Sequence, residues 1–163
     1  MSGWWAGKLR QAVRYFAAIS PEERVHLGQW LSPEQLALFE SMHRADQRHG
    51  LDVVRCLRDS GRDEADLLLA GLFHDAAKGR RVRLMHRVAW SLGERYGRWV
   101  WSFARRLPGW GDALDRLEDH AERSAALALK AGCSPLTADL IRDQAAPHDE
   151  RLGEALRLAD EAN

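Results

Sequence analysis

The chain has 163 residues, a length that favours one domain with a real hydrophobic core. Hydrophobic residues make up 45% and charged residues 29% of the chain, which excludes a disordered protein. The formal net charge is zero, which argues against non-specific binding of nucleic acid. The charge is uneven, since residues 1–111 hold 18 basic and 12 acidic residues and residues 112–163 hold 6 and 12. An anionic partner for the basic part and two ordinary, differently charged faces are both compatible with this division.

The cysteines and the apolar segments indicate the compartment. Cys56 and Cys133 match no zinc spacing and are flanked by apolar residues, so we predict small core side chains in a reducing environment. No window approaches the ~20 apolar residues that span a bilayer. The N-terminal residues also lack the pattern of a cleaved signal peptide. We therefore expect a cytoplasmic protein.

Helix signals recur along the chain, whereas strand signals are nearly absent. Ser20-Pro21-Glu22-Glu23 and Ser32-Pro33-Glu34 each combine an N-cap, a proline at the first helical position and an acidic first turn. Ser134-Pro135 repeats the cap and the proline. The predicted helices cover residues 4–19, 21–30, 33–43, 46–60, 63–78, 82–106, 112–131, 135–146 and 149–162. We predict an all-α fold, a single-domain helical bundle.

Polar residues follow directly on the most apolar of these helices. Residues 67–73 are apolar on every side, which predicts a helix that is buried all round. His74 and Asp75 come next, and a carboxylate there is costly to bury unless it is paired or bound to a metal. Lys78 lies three residues after Asp75 and can reach the same site. A simple Asp75–Lys78 ion pair is therefore the alternative to a metal site.

Two further polar residues are predicted to face inward. His49 shares an apolar helical stripe with Val53 and Leu57, although a core histidine bonded to a backbone carbonyl has the same pattern. Asp160 lies one turn after Leu156, at the edge of another buried stripe, where an aspartate needs a partner. An aspartate that frays into solvent at the helix end is the competing interpretation.

Three helices thus direct four polar side chains inward: His49, His74, Asp75 and Asp160. Two imidazoles and two carboxylates suit one divalent transition metal, such as Mn, Fe, Co, Ni or Zn, better than they suit Ca. The convergence of several such residues is harder to explain by packing than any one of them alone.

At these residues the chain resembles the HD superfamily of metal-dependent phosphohydrolases. The pattern of that family is a histidine, then a His-Asp pair that closes an apolar helix, then a late aspartate. Here these parts are Asp46-Gln47-Arg48-His49-Gly50-Leu51, Leu72-Phe73-His74-Asp75-Ala76-Ala77-Lys78-Gly79 and Leu158-Ala159-Asp160. The resemblance covers residues 34–163, so residues 1–33 are predicted to be an N-terminal helical extension beside the HD domain.

The resemblance also implies roles for individual residues. His49, His74, Asp75 and Asp160 would ligate one metal that activates a water and polarises a phosphoryl oxygen. Asp75, Lys78 and His120 would form the catalytic set, with Lys78 stabilising phosphate charge and His120 matching a histidine that many members use for a second metal or for phosphate. The implied substrate-binding residues are Lys78, Arg80, Arg81 and His86. For His86, filling a gap between the arginines is the alternative.

The chain departs from the family pattern at two places. Many two-metal members carry a pair of histidines on the penultimate helix, where this chain has Asp143-Gln144. A glutamine is a poor substitute for an imidazole, so we expect one metal rather than two. The alarmone hydrolases of the superfamily carry an acidic pair soon after His-Asp, and Ala76-Ala77 at that place argues against their activity.

Basic residues and tryptophans are mixed in two segments. Residues 78–106 hold nine basic residues and one acidic residue together with Trp90, Trp99 and Trp101, and residues 4–19 form a second basic amphipathic stretch. One interpretation is a core of aromatic side chains with solvated arginines. A funnel for an anionic substrate that includes Arg80 and Arg81 is another. An interfacial helix that rests on anionic lipid is the third.

These observations lead to one preferred function and two alternatives. We prefer a metal-dependent phosphohydrolase that acts on a small phosphorylated molecule, with nucleotides among the candidates. A metal-binding regulatory or signalling module without turnover is the second choice, and an HD-type di-iron oxygenase is the third because it needs more ligands. The expected partners are the phosphorylated substrate, an anionic membrane touched peripherally, and a second copy of the chain.

Overall fold

The computed structural model describes residues 19–79, 82, 84–97 and 99–163, without the side chains of residues 84, 87 and 94. These residues form helices and no strand. The helices are α1 (Pro21–Trp30), α2 (Pro33–Ser41), α3 (Arg44–Asp59), α4 (Ala65–Phe73), α5 (Leu84–Tyr96), α6 (Trp99–Ala104), α7 (Trp110–Glu118), α8 (His120–Lys130), α9 (Pro135–Arg142) and α10 (Leu152–Ala162). The predicted all-α, single-domain bundle is confirmed. The predicted helix at 4–19 lies outside the described residues, except for Ile19.

The serine caps begin their helices as predicted. The Ser20 hydroxyl accepts from the Glu23 amide at 3.2 Å, and the Glu23 carboxylate accepts from the Ser20 amide at 2.9 Å. Ser32 and Gln35 form the same reciprocal pair at the start of α2. Ser134 accepts from the Thr137 amide at the start of α9. Each cap satisfies amides that the first helical turn leaves without a partner.

Four predicted helices end or divide earlier than expected, among them the helix predicted at 135–146, which ends at Arg142. The predicted helix 82–106 is divided between α5 and α6, because Gly97 has a φ of +108° and a left-handed residue cannot continue a helix. The predicted helix 112–131 is interrupted at Asp119. The predicted helix 63–78 ends at Phe73, after which tighter turns join the Ala76 amide to the Phe73 carbonyl. His74 and Asp75 therefore lie in a turn rather than inside a helix.

Helix α4 lies at the centre of the main core. Leu67, Leu72 and Phe73 are fully buried, and α3, α9 and α10 pack against the helix. The predicted burial of 67–73 is confirmed for six of its residues, whereas Leu69 is half-buried. Gly50 on α3 is packed so closely that a Cβ there would lie 2.6 Å from the Leu72 carbonyl oxygen. This close approach brings His49, the neighbour of Gly50, next to the end of α4.

A smaller core joins α5, α6 and α7. It is built from Val82, Ala89, Ala104, Leu114 and Leu117, with Trp90, Trp101 and Trp110 packed against it. The Trp90 and Trp101 rings stack with centroids 4.5 Å apart. The interpretation of the tryptophans as core residues thus describes these three, whereas the Trp99 side chain is 67% exposed.

The placement of the two cysteines and the character of the helices can be compared with the sequence-based expectations. Cys133 is buried in the main core, as predicted, whereas Cys56 is half-buried against it, and both are free thiols. None of the described helices has the length and apolar character needed to cross a membrane.

Candidate metal centre

Three of the four predicted ligands meet at one point. His49 comes from α3, His74 follows α4, and Asp160 comes from α10, and their ligand atoms all lie within 4.8 Å of one another. The Asp160 Oδ1 atom is 2.8 Å from His49 Nε2 and 3.4 Å from His74 Nε2. Two atoms that bind one ion at about 2.1 Å lie about 3.0–3.5 Å apart. The spacing is therefore close to that of ligands sharing one cation.

Asp75 lies beside this group of three rather than within it. Its Oδ1 atom is 3.6 Å from His74 Nε2 and 3.7 Å from His120 Nε2. Its Oδ2 atom accepts a hydrogen bond from Lys78 Nζ at 2.6 Å. The sequence left a simple Asp75–Lys78 ion pair as the alternative to a metal site. That ion pair is present, and it lies next to the candidate ligands, so the ion pair and the ligand group occur together.

Two buried atoms at the centre have no hydrogen-bond partner among the described residues: His74 Nε2 and Asp75 Oδ1. Their side chains are 2% and 3% exposed. Leaving a buried polar group unsatisfied costs about 1–3 kcal/mol, so native proteins rarely do so without a reason. A cation held by His49, His74 and Asp160 would bind His74 Nε2, and it would satisfy Asp75 Oδ1 as well if that atom, 3.6 Å from His74 Nε2, also contacted it. The residues present therefore fit a divalent metal.

Backbone carbonyls orient the two buried imidazoles. His74 Nδ1 donates to the Gly71 carbonyl at 3.0 Å, and His120 Nδ1 donates to the Leu117 carbonyl at 2.6 Å. In the neutral form of each ring the proton is on Nδ1 and the lone pair is on Nε2, the nitrogen nearest Asp75. These two carbonyl acceptors were not predicted from the sequence. Their position three residues before each histidine is the signal that would have found them.

Comparisons with protein-family models, with curated proteins and with solved structures gave no match to this chain. The centre is therefore interpreted from its donor atoms and from the charges around them.

Opposite charges share the centre. Burial opposes the charged form of His74, but the Asp75 and Asp160 carboxylates raise its pKa to about 9. Burial also opposes ionisation of Asp75, yet the charges of Lys78 and His74 hold the pKa of that carboxyl well below its usual range. The pKa of Asp160 is lowered in the same way, against burial, by His74 and His49. Two anionic carboxylates therefore surround a protonated imidazole, a charge that a cation can replace.

Metal binding is expected to release a proton. Because the pKa of His74 is about 9, the imidazole is protonated at pH 7, and a metal binds only the neutral ring. We expect Zn²⁺ binding at pH 7 to release about one proton, and the affinity to rise about tenfold per pH unit from pH 7 until it levels off near the His74 pKa of about 9. Calorimetric titrations in buffers of different ionisation enthalpy measure the number of protons released. A binding heat that is independent of the buffer would contradict the prediction.

Metal affinity is expected to rise with pH, but in the metal-free protein His74 should make the folded chain less stable as the pH rises. Its pKa is raised from 6.5 to about 9 in the folded chain. The stabilisation it contributes is therefore fully present below pH 6.5 and is lost as the pH rises toward 9. Added metal should remove this alkaline loss, since the bound imidazole carries no proton.

Gln144 has a role that the sequence did not reveal. Its side-chain amide lies 3.2 Å from His120 Nε2 and donates to it, because His120 Nδ1 already carries the ring proton. Burial and the charge of Lys78 lower the pKa of His120, which keeps the ring neutral. Gln144 therefore takes up the lone pair that a second metal would need. Asp143, the residue before it, pairs with His148 at 3.0 Å.

The predicted substrate-binding residues are only partly described. Arg80 and Arg81 lie outside the described residues. Lys78 is at the centre and its side chain is 19% exposed. His86 is buried with its ring edge-on to Trp110, 4.7 Å between centroids, in the smaller core. This placement favours the interpretation that His86 fills a gap.

Proposed function

We propose that this chain is an HD-type metal-dependent phosphohydrolase that acts on a small phosphorylated molecule, with nucleotides among the candidates. The observation that carries the proposal is the meeting of His49, His74 and Asp160 within 4.8 Å, in the chain order that resembles the HD pattern. One divalent transition metal (Mn, Fe, Co, Ni or Zn) suits this mixture of nitrogen and oxygen donors.

Each neighbour of the ligands suits phosphoryl chemistry. A divalent ion held by His49, His74 and Asp160, with Asp75 beside them, would supply Lewis acidity and a bound water of lowered pKa. Lys78 neutralises the Asp75 carboxylate and leaves an ammonium group within reach of an anionic phosphate. The Asp160 side chain is 40% exposed, so a substrate can approach the ligands from that side.

His120 is the proposed proton acceptor. Burial and the charge of Lys78 lower its pKa, and its Nε2 atom is 3.7 Å from the Asp75 carboxylate. A neutral imidazole at this place can accept a proton from a water beside Asp75. The hydrogen bond from Gln144 must give way first, because it occupies the same lone pair. Gln144 would thus control when His120 acts.

A metal-binding regulatory module without turnover is the second candidate, and the hydrogen bond from Gln144 to His120 favours it. If that bond persists, the ring binds neither a second metal nor a proton. A di-iron oxygenase receives less support, because the described residues contain one group of three metal-binding side chains within range of each other.

Metal content and turnover distinguish these functions. The full chain is purified without added metal, its bound elements are measured, and hydrolysis of nucleoside mono-, di- and triphosphates and cyclic nucleotides is followed with Mn, Co, Ni or Mg. One metal per chain with hydrolysis supports the phosphohydrolase. One metal without hydrolysis across the panel supports the regulatory module, and two irons with an oxygen-dependent spectrum support the oxygenase. A chain that binds none of these metals overturns all three.

Lys78→Met separates catalysis from metal binding. Lys78 contacts Asp75 and none of the group of three, so we expect metal content to stay near that of the wild type. Turnover should fall by about 100-fold or more, the usual effect of removing a charge that stabilises a transition state. Lys130→Met, at an exposed position on α8, is the matched control. Equal losses of metal and turnover in Lys78→Met would contradict this division of roles.

A further inference from the structure

Exposed apolar side chains concentrate on α5, α6 and the residues just after them. Trp99 and Phe103 are 67% and 64% exposed, which is unusual for aromatic residues of their size. The full set, which we call the α5–α6 apolar surface, is Met85, Val88, Tyr96, Trp99, Phe103 and Leu107. The other exposed large apolar side chains of the described residues are spread over α1, α8, α9 and α10. A concentration of this kind marks an interaction surface.

Helix periodicity places these side chains on a common side of each helix. Met85, Val88 and Tyr96 follow one stripe of α5, and Trp99 and Phe103 are one turn apart on α6. The Trp99 indole donates to the Tyr96 carbonyl at 3.0 Å, which joins the end of one stripe to the start of the other.

The inward sides of the same helices are already packed. Trp90 on α5 and Trp101 on α6 stack on each other, and Trp101 donates to the Trp90 carbonyl at 3.1 Å. Gly93 allows this packing, because a Cβ there would lie 1.8 Å from the Trp101 ring nitrogen. The outward residues are therefore additional to the core.

Two exposed arginines among the described residues adjoin the surface: Arg95 on α5 and Arg106 just after α6. Residues 78–106 hold nine basic residues and one acidic residue. The Arg95 guanidinium lies 5.8 Å from the centre of the Tyr96 ring. Arg105, also just after α6, is paired with Asp115 and Glu118. Aromatic side chains flanked by arginines suit the boundary between water and an anionic bilayer.

We propose that the α5–α6 apolar surface docks peripherally on a bilayer that contains anionic lipid. A bilayer offers apolar depth to Trp99 and Phe103 and negative charge to the arginines at the same time. A second copy of this chain that paired through the same surface would set arginines against arginines, which is unfavourable. This docking is independent of what the metal centre does.

Vesicle co-sedimentation of the full chain tests the proposal. The wild type should bind phosphatidylcholine–phosphatidylserine vesicles, bind phosphatidylcholine vesicles far more weakly, and be partly released by salt. Trp99→Ala/Phe103→Ala should weaken binding by about tenfold or more. Val25→Ala/Leu158→Ala removes similarly exposed side chains from α1 and α10 and should bind like the wild type.

A second variant keeps the test decisive if the aromatic double variant fails to fold. Arg95→Gln/Arg106→Gln leaves the apolar side chains in place and should lower binding to anionic vesicles. Absence of binding by the wild type overturns the proposal. Unchanged binding by both variants also overturns it, since the lipid would then meet another part of the chain, such as residues 4–19. A wild-type dimer that dissociates in the aromatic variant, with no lipid binding, would assign the surface to self-association.

Discussion

Asp160→Asn is expected to remove bound metal from this chain. The Asp160 Oδ1 atom is the one atom that both His49 and His74 approach, at 2.8 Å and 3.4 Å. The amide keeps the shape of the side chain but loses the negative charge that a cation needs. Changes to residues around metal ligands cost about 10–100-fold in affinity, so loss of a ligand should cost about 100-fold or more. Elemental analysis and competitive titration with a chelator measure the loss.

The neighbouring carboxylate provides the control for this substitution. Glu161 is next to Asp160 on α10 and is exposed, so Glu161→Gln should retain the metal. His74→Ala should lose the metal as Asp160→Asn does, because it removes another member of the group of three. If His74→Ala loses the metal and Asp160→Asn keeps it, Asp160 is not a ligand. If both keep it, the centre lies elsewhere.

Gly50→Ala is expected to damage both the fold and the metal centre. The added Cβ would lie 2.6 Å from the Leu72 carbonyl oxygen, and a backbone atom in the middle of the core cannot move aside as a flexible side chain can. The separation of α3 and α4 must therefore increase, which should lower the free energy of unfolding by about 1–3 kcal/mol. Metal affinity should fall as well, since His49 is the preceding residue and would move away from His74. Urea denaturation and metal titration measure the two effects.

Gly28→Ala is the matched control for that prediction. Gly28 lies inside α1, and a Cβ there would have nothing within 4 Å. The exchange should raise the free energy of unfolding by about 0.5–1 kcal/mol, because alanine loses less backbone entropy in a helix than glycine. Metal affinity should not change. If the Gly50→Ala variant were as stable as the wild type, α3 and α4 could not lie as close together at Gly50 as described.

The helices and their burial were largely predictable from local patterns. Ser20 and Ser32 begin helices because their side chains satisfy the first amides of the turn, an interaction confined to four neighbouring residues. The segment 67–73 is buried, except for the half-buried Leu69, because it has no polar side that could face water. The break at Gly97 was missed, since glycine permits a left-handed conformation without requiring it.

The candidate metal centre was predictable in its residue types but not in its arrangement. Periodicity predicted that His49 and Asp160 face inward, and their side chains are 18% and 40% exposed, whereas His74, predicted to be buried after the apolar helix, is 2% exposed. His49 and Asp160 are 111 residues apart in the chain, so no local pattern could place them 2.8 Å from each other. The hydrogen bond from Gln144 to His120 escaped the sequence analysis for the same reason.

The amino-acid sequence by itself determined which segments are helical, which sides of them are apolar and which polar residues interrupt the apolar stripes, because these depend on neighbours within one or two turns. Only the tertiary structure decided which stripes face each other. It brought α3 and α10 to the end of α4, set Asp75 beside the group of three ligands, and buried Trp90 and Trp101 while leaving Trp99 exposed. Apolar stripes are largely interchangeable as partners, so shape and close packing, such as that at Gly50, select the pairing.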